Sequence, residues 1–175
     1  MQRTIKTDRL VLRPIMFDDA PALSRLGSDY DIASMTGSIP HPFPLISAEI
    51  RTMMFSAGWR QGTEYSYAIS NGGGDLMGVA SLFRRKDAED LELGYWIGRP
   101  YWGAGYITEA CQALIACAEN TMGLKKILAG VFADNPGSMR VLEKLGFECT
   151  GPEKDYFSIA RLGKAKSIGY IRRNG

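Results

Sequence analysis

The chain has 175 residues, 45% of them hydrophobic and 23% charged, and its formal net charge is +2. That length suits one domain with a sizeable core, so 1–175 is read as a single domain, and the apolar fraction excludes a disordered chain. No apolar run approaches the ~20 residues of a membrane span, no signal-peptide core opens the chain, and no Lys/Arg tract is interleaved with aromatics, so a cytoplasmic protein with no membrane or nucleic-acid partner is expected.

"TIKTDRLVLRPI" alternates apolar and polar residues and reads as a strand. A helix is expected from about Asp18 to Leu26. Pro40, Pro42 and Pro44 then forbid a continuous helix, and a second helix capped by Ser47 is expected to run to about Arg60. "EYSYAIS" and "LMGVASLFRR" flank an Asn-Gly-Gly-Gly run that turns them into a hairpin, and Arg84, Arg85 and Lys86 after it read as a solvated hairpin tip of their own. In "EDLELGYWI" alternation puts Leu91, Leu93 and Tyr95 on one face and Glu92 with Trp96 on the other. Apolar residues at helical spacing make Tyr106 to Thr121 an amphipathic helix. "KKILAGVFAD" is a fifth strand. In "NPGSMRVLEKLGF" Asn135 is an N-cap, Pro136 occupies the first helical position and Gly146 ends the helix. "FECTGP" and "KAKSIGYIRR" read as closing strands, the last weak and polar.

Three cysteines, Cys111, Cys117 and Cys149, show no CxxC or Cys/His spacing, so reduced core thiols are expected rather than a disulfide or a metal site. His41 is the sole histidine and sits in the proline-rich loop, a poor centre for a Ser-His-Asp triad. Arg140 and Lys144 share a helix face and read as solvated.

The turn between the fourth strand and the long helix carries Gly103 and Gly105 around Ala104. Glycine costs backbone entropy at a helix start, so its repetition points to a backbone requirement. Amides exposed at a helix N-terminus attract phosphate, and small residues let it approach. The third glycine of a dinucleotide fingerprint and the GxxxxGK[ST] loop are absent, which disfavours a nucleotide-binding α/β protein.

"ELGYWIGRPYWGAGYITEA", then "FADNPGSMRVLEKLGFECTG", preceded by "TDRLVLRPIMFDDAPAL" and "IPHPFPLISAEI", resembles the GNAT superfamily of N-acetyltransferases and more narrowly its RimJ/RimL-type branch. The resemblance implies an α+β fold, a mixed and mostly antiparallel twisted sheet of about seven strands flanked by about four helices. It also implies that the fourth and fifth strands splay to admit the pantetheine arm of acetyl-CoA, the co-substrate. Trp102, Gly103, Ala104, Gly105 and Tyr106 match the family's pyrophosphate loop, although the family usually places a larger polar or basic residue where Ala104 stands. Tyr95, Trp96 and Ile97 match the segment that pairs with pantetheine, and Asn135 with Ser138 matches the NxxS motif whose asparagine commonly bonds that arm.

The implied reaction is direct attack of a neutral primary amine on the thioester in a ternary complex, needing a base and a stabilised leaving thiolate. The amine is a protein N-terminus or belongs to a small molecule, and the enzyme is a monomer or homodimer. Glu92 is the expected base, with Glu89 as fallback, against the reading of either as a surface strand carboxylate. The family's tyrosine acid is replaced by Leu142, so Ser138 is the residue at the leaving sulfur, unless its hydroxyl only caps the helix. His41 and Phe43 are expected to line an acceptor cleft built from the Asp29 to Ser47 region and the loop joining the last two strands. The other class left open is a non-catalytic acyl-CoA-binding module that retains the turn.

Overall fold

The first alternating segment is not one strand but two. In the computed structural model, which describes residues 1–72, 74–84 and 90–174, β1 (Ile5–Lys6) and β2 (Val11–Pro14) fold back on each other as an antiparallel pair. Thr7 makes the break: its amide donates to the Leu10 carbonyl at 2.9 Å and its hydroxyl oxygen accepts from the Leu10 amide at 2.9 Å. That local side-chain bond competes with the strand ladder.

A 3-10 turn over Phe17–Asp19 leads into α1 (Ala20–Gly27). One extra helical turn, α2 (Tyr30–Ala33), follows because the Asp29 carboxylate accepts the Asp31 amide at 3.0 Å. The next helix, α3 (Leu45–Gln61), starts before the expected Ser47 cap. Pro44 is its N-cap, with its carbonyl accepting from the amides of Ser47 and Ala48, and Gly62 closes it in the left-handed region at φ 69°.

The hairpin is β3 (Glu64–Ser70) and β4 (Leu76–Arg84). Arg84 ends β4, whereas Gly73, Arg85, Lys86 and the fallback base Glu89 lie outside the described residues. Then come β5 (Leu91–Ile97), a 3-10 turn over Arg99–Tyr101, α4 (Tyr106–Met122), β6 (Lys126–Phe132), α5 (Pro136–Lys144) and β7 (Glu148–Pro152). A small separate hairpin, β8 (Tyr156–Ser158) with β9 (Gly163–Ala165), precedes β10 (Ser167–Arg173).

The main sheet has eight strands in the order β1-β2-β3-β4-β5-β6-β10-β7, and the described helices number five rather than four. Every pairing is antiparallel except β5 with β6. The closing strand, expected to be weak, sits inside the sheet: β10 pairs with β6 along all seven of its residues and with β7 on its other edge. Its sequence alternates poorly because Ser167, Gly169, Tyr170 and Ile171 are all buried between neighbours.

Two cores lie on the two faces of the sheet. Leu91, Leu93 and Ile97 of β5 pack with Ala110, Cys111, Leu114, Ile115 and Ala118 of α4 and with Leu142 of α5. The opposite face carries Ala68, Val79 and, partly buried, Trp96 against α1 and α3 residues such as Leu23, Ala48 and Phe55. A fully buried leucine such as Leu114 contributes about 2 kcal/mol by transfer from water. Cys111 and Cys117 belong to the first core, and burial pushes the Cys111 thiol far above its ordinary value. Cys149, expected there too, is exposed on the edge strand β7. No described helix is long and apolar enough to cross a membrane.

Candidate active site

The parallel strands β5 and β6 pair only at Leu91 with Ile127 and Glu92 with Leu128, and then part. Among the described residues no strand pairs with the β6-facing backbone of β5 beyond Glu92, whereas β4 still pairs with β5 as far as Ile97. A cleft of about 1000 Å³ opens at this fork and runs from one face of the sheet to the other. The strand register places Glu92, Gly94 and Trp96 on one face with Ser81 and Phe83 of β4 and Glu64 and Ser66 of β3, and Tyr95 on the other with α4.

At the far end of β5 the chain turns into α4 through the glycine pair. Gly103 and Gly105 have φ of 77° and 79°, a region that costs any residue with a Cβ roughly 1–2 kcal/mol. A Cβ on Gly103 would meet nothing within 4 Å, so conformation alone demands glycine there. The first intrahelical bond of α4 runs from the Glu109 amide to the Gly105 carbonyl at 3.1 Å, and the amides of Tyr106, Ile107 and Thr108 precede it. All three residues line the cleft with Gly103 and Gly105, while Ala104 does not. Trp102, half-exposed, donates its indole N–H to the Ile97 carbonyl at 2.7 Å and has the Arg99 guanidinium over its ring at 5.1 Å. Arg99 in turn is forked onto Asp29 and Asp31, which ties this turn to α2 and holds the Asp29 carboxyl below its ordinary value.

Across the fork, the Asn135 side-chain oxygen accepts the Ser138 amide at 3.0 Å and caps α5. Ser138 therefore does not cap its own helix. Its hydroxyl instead lies 2.8 Å from the Tyr95 hydroxyl, which also donates to the Ser138 carbonyl at 3.1 Å. Burial pushes the Tyr95 phenol well above its ordinary value, so it stays protonated and can donate. Leu142, buried, lines the cleft one turn further along α5.

Glu92 is 7% exposed and stands at the last β5–β6 pair, where it lines the cleft. Phe83 lies across from it on β4, and the Phe83 ring fills the space over Gly94: a Cβ there would come within 2.9 Å of it. The far end of the cleft is walled by Asp31, Ile32, Met35 and Phe43 from the segment after α1 and by Tyr156 from the β8–β9 hairpin. Arg161 fastens that hairpin down, donating to the Ser34 carbonyl at 2.6 Å and to both Asp134 oxygens at 2.8 and 3.0 Å.

Several placements differ from the expectations. His41 is not among the lining residues; it is exposed and packs edge-on against Tyr30. Arg140 and Lys144, read as solvated, are exposed but sit on the cleft rim, since consecutive turns of α5 face the fork. The Tyr95–Ser138 contact and the Arg161 fastening join residues 43 and 27 or more positions apart, and no local pattern announces them.

A family profile described as "Acetyltransferase (GNAT) domain" matches residues 9–148. The chain belongs to the GNAT acetyltransferase family. It is 29% identical over 166 residues to the Escherichia coli [Ribosomal protein uS5]-alanine N-acetyltransferase, covering 89% of this chain and 83% of that protein. It is 28% identical over 156 residues to the uncharacterized N-acetyltransferase p20 of Bacillus licheniformis, covering 87% and 86% of the two chains. In fold it is similar to Mycobacterium smegmatis RimJ in complex with CoA-disulfide, with a TM-score of 0.82, 20% identity and coverage of 94% of this chain and 81% of that one. The chain is an acetyl-CoA-dependent GNAT acetyltransferase, similar to members of the RimJ/RimL-type branch.

Proposed function

We propose that this acetyltransferase moves the acetyl group of acetyl-CoA to a primary amine, first of all a protein N-terminal α-amine, by direct attack in a ternary complex in the cytoplasm. The observation that carries this reading is the cleft at the β5–β6 fork, whose lining comes from both faces of the sheet and includes Glu92. Bound acetyl-CoA would supply an activated thioester. The chain's own residues fit such a group: the amides at the Gly103–Tyr106 turn suit a diphosphate, and the β5 edge beyond Glu92, which no described strand pairs, suits the amides of a pantetheine arm. The Asn135 side-chain N–H group and the rim cations Arg140 and Lys144 are further donors on that side.

On the acceptor side the Glu92 carboxylate lines the cleft and suits an amine, whereas Asp31 and Glu64, which line it too, are paired with Arg99 and Arg51. Glu92 would take its proton directly or through water. An α-amine, with an ordinary pKa of about 8 against about 10.4 for lysine, asks less of that base. The backbone of Tyr95, Trp96 and Ile97 would hold the acyl carbonyl, and the protonated Tyr95, when its single hydrogen goes to the Ser138 hydroxyl oxygen rather than to the Ser138 carbonyl, would leave the serine hydrogen for the leaving sulfur. The uS5-alanine specificity of the Escherichia coli relative supports trying protein N-termini first.

The test is thiol release from acetyl-CoA by wild type and Glu92→Gln, with ribosomal-protein N-terminal peptides, polyamines, amino acids and aminoglycosides as acceptors. Acceptor-dependent release that falls at least about 100-fold in the variant is expected. An unchanged variant would remove Glu92 as base, and CoA binding without release to any acceptor would favour the binding module.

A further inference from the structure

The geometry points to Arg9 as the residue that orients the diphosphate-binding turn, acting through the Ala104 carbonyl and held in place by Glu109 and Thr7. This inference rests on the acetyl-CoA reading of the cleft. Arg9 sits in the break between β1 and β2, 95 residues from the turn it touches, yet its guanidinium donates to the Ala104 carbonyl at 3.0 Å. The same side chain donates from Nε to Glu109 at 2.6 Å, its backbone amide donates to Glu109 at 3.1 Å, and it stacks 4.5 Å over the Tyr106 ring. The Thr7 hydroxyl completes the clasp with a 2.5 Å bond to Glu109.

The Ala104–Gly105 peptide is the unit being held. In a planar trans peptide the carbonyl and the following N–H point in opposite directions. Arg9 draws the Ala104 carbonyl outward, so the Gly105 N–H is aimed inward. The lining residues agree, because Gly103 and Gly105 face the cleft and Ala104 does not. A turn with two positive-φ glycines has other conformations open to it, and an anion site built from amides works only if they are already aimed. Arg9 itself is half-exposed and paired with Glu109, so its charge is locally balanced and its contribution is orientation. Glu109 is well suited to anchor it: burial raises its carboxyl, but the bonds from Thr7 and Arg9 outweigh that and keep it ionised below the ordinary carboxylate range. Arg9 is thus a positioning residue.

The test separates diphosphate recognition from general damage. Dissociation constants of CoA and of pantetheine, which lacks the diphosphate, are measured by calorimetry or NMR titration for wild type, Arg9→Gln and Arg9→Lys, with thermal melts of each. The expected result is CoA binding weakened about tenfold in Arg9→Gln and less in Arg9→Lys, which keeps one donor, with pantetheine binding within about twofold of wild type. Equal CoA affinity in wild type and a folded Arg9→Gln would overturn the inference alone, as would an equal loss for both ligands. If Arg9→Gln does not fold, Arg9→Lys decides by the same comparison. Wild-type protein that fails to bind CoA would overturn the acetyl-CoA reading and the inference together.

Discussion

Asn135, which lines the cleft, has two chemically separable side-chain groups, an oxygen used inside the protein and an NH2 group, and a pair of substitutions can pull their roles apart. Its side-chain oxygen caps α5 through the 3.0 Å bond from the Ser138 amide. Its NH2 group is the one proposed to donate to a pantetheine arm. Asn135→Ala removes both. Loss of a side-chain cap costs about 1 kcal/mol, which for a chain of this size lowers the melting temperature by roughly 2–4 °C. Asn135→Asp keeps an oxygen at the capping position and adds negative charge where the α5 dipole favours it, so its melting temperature should match or slightly exceed wild type. It nevertheless replaces the donor with an acceptor. Losing one neutral hydrogen bond of about 0.5–1.5 kcal/mol predicts CoA binding weakened roughly 2- to 12-fold in both variants, and more in Asn135→Asp, whose carboxylate would face an amide carbonyl. Thermal melts and calorimetric titration with CoA check both halves. If Asn135→Asp melts as low as Asn135→Ala, the cap is not the stabilising group; if it binds CoA as wild type does, the Asn135 amide does not hold the arm.

Three other expectations follow from the geometry. Tyr95→Phe removes the 2.8 Å bridge to Ser138 and should lower kcat by up to about tenfold with the KM for acetyl-CoA nearly unchanged; because the phenol stays protonated, the alkaline limb of the pH–rate profile should not move. Gly103→Ala, with open space but φ of 77°, should cost roughly 1 kcal/mol in stability and weaken CoA binding, and an unaffected variant would show that the turn tolerates another conformation. Asp29 and Asp134, held below their ordinary values first by Arg99 and by Arg161, and Glu109, lowered despite burial, all fasten segments around the cleft. Lowered folded-state values mean stability that is fully present above the unfolded pKa of about 4 and lost as pH falls through the folded ones, so melting temperature should hold down to about pH 5 and drop below about pH 4. A drop that begins near pH 6 would implicate other groups.

Much of the site was legible because its residues are specified by local rules. The repetition of glycine at Gly103 and Gly105 signals a backbone requirement at the start of α4, and both adopt positive φ. "NPGS" carries its own cap, since Asn135 and Ser138 are three residues apart on one turn. Strand alternation alone puts Glu92 with Trp96 and turns Tyr95 to the other face, which the pairing with β4 reproduces. The same rules misjudged "TIKTDRLVLRPI", where alternation continues through a turn that the Thr7 side chain makes, and they placed the α3 start at Ser47 although the Pro44 carbonyl begins the helix.

What the sequence by itself determined, then, is the set of backbone conformations and face assignments that depend on a few neighbouring residues: the glycine turn, the α5 cap, the faces of β5. Tertiary structure alone decided which of these meet. It inserted β10 between β6 and β7, parted β5 from β6 after Glu92, carried the Tyr95 hydroxyl to Ser138 and brought Arg9 to a carbonyl 95 residues away. Dihedral preferences act over a turn or two of chain, whereas these contacts are fixed by how the two faces of the sheet bury their apolar side chains, a property of the whole fold.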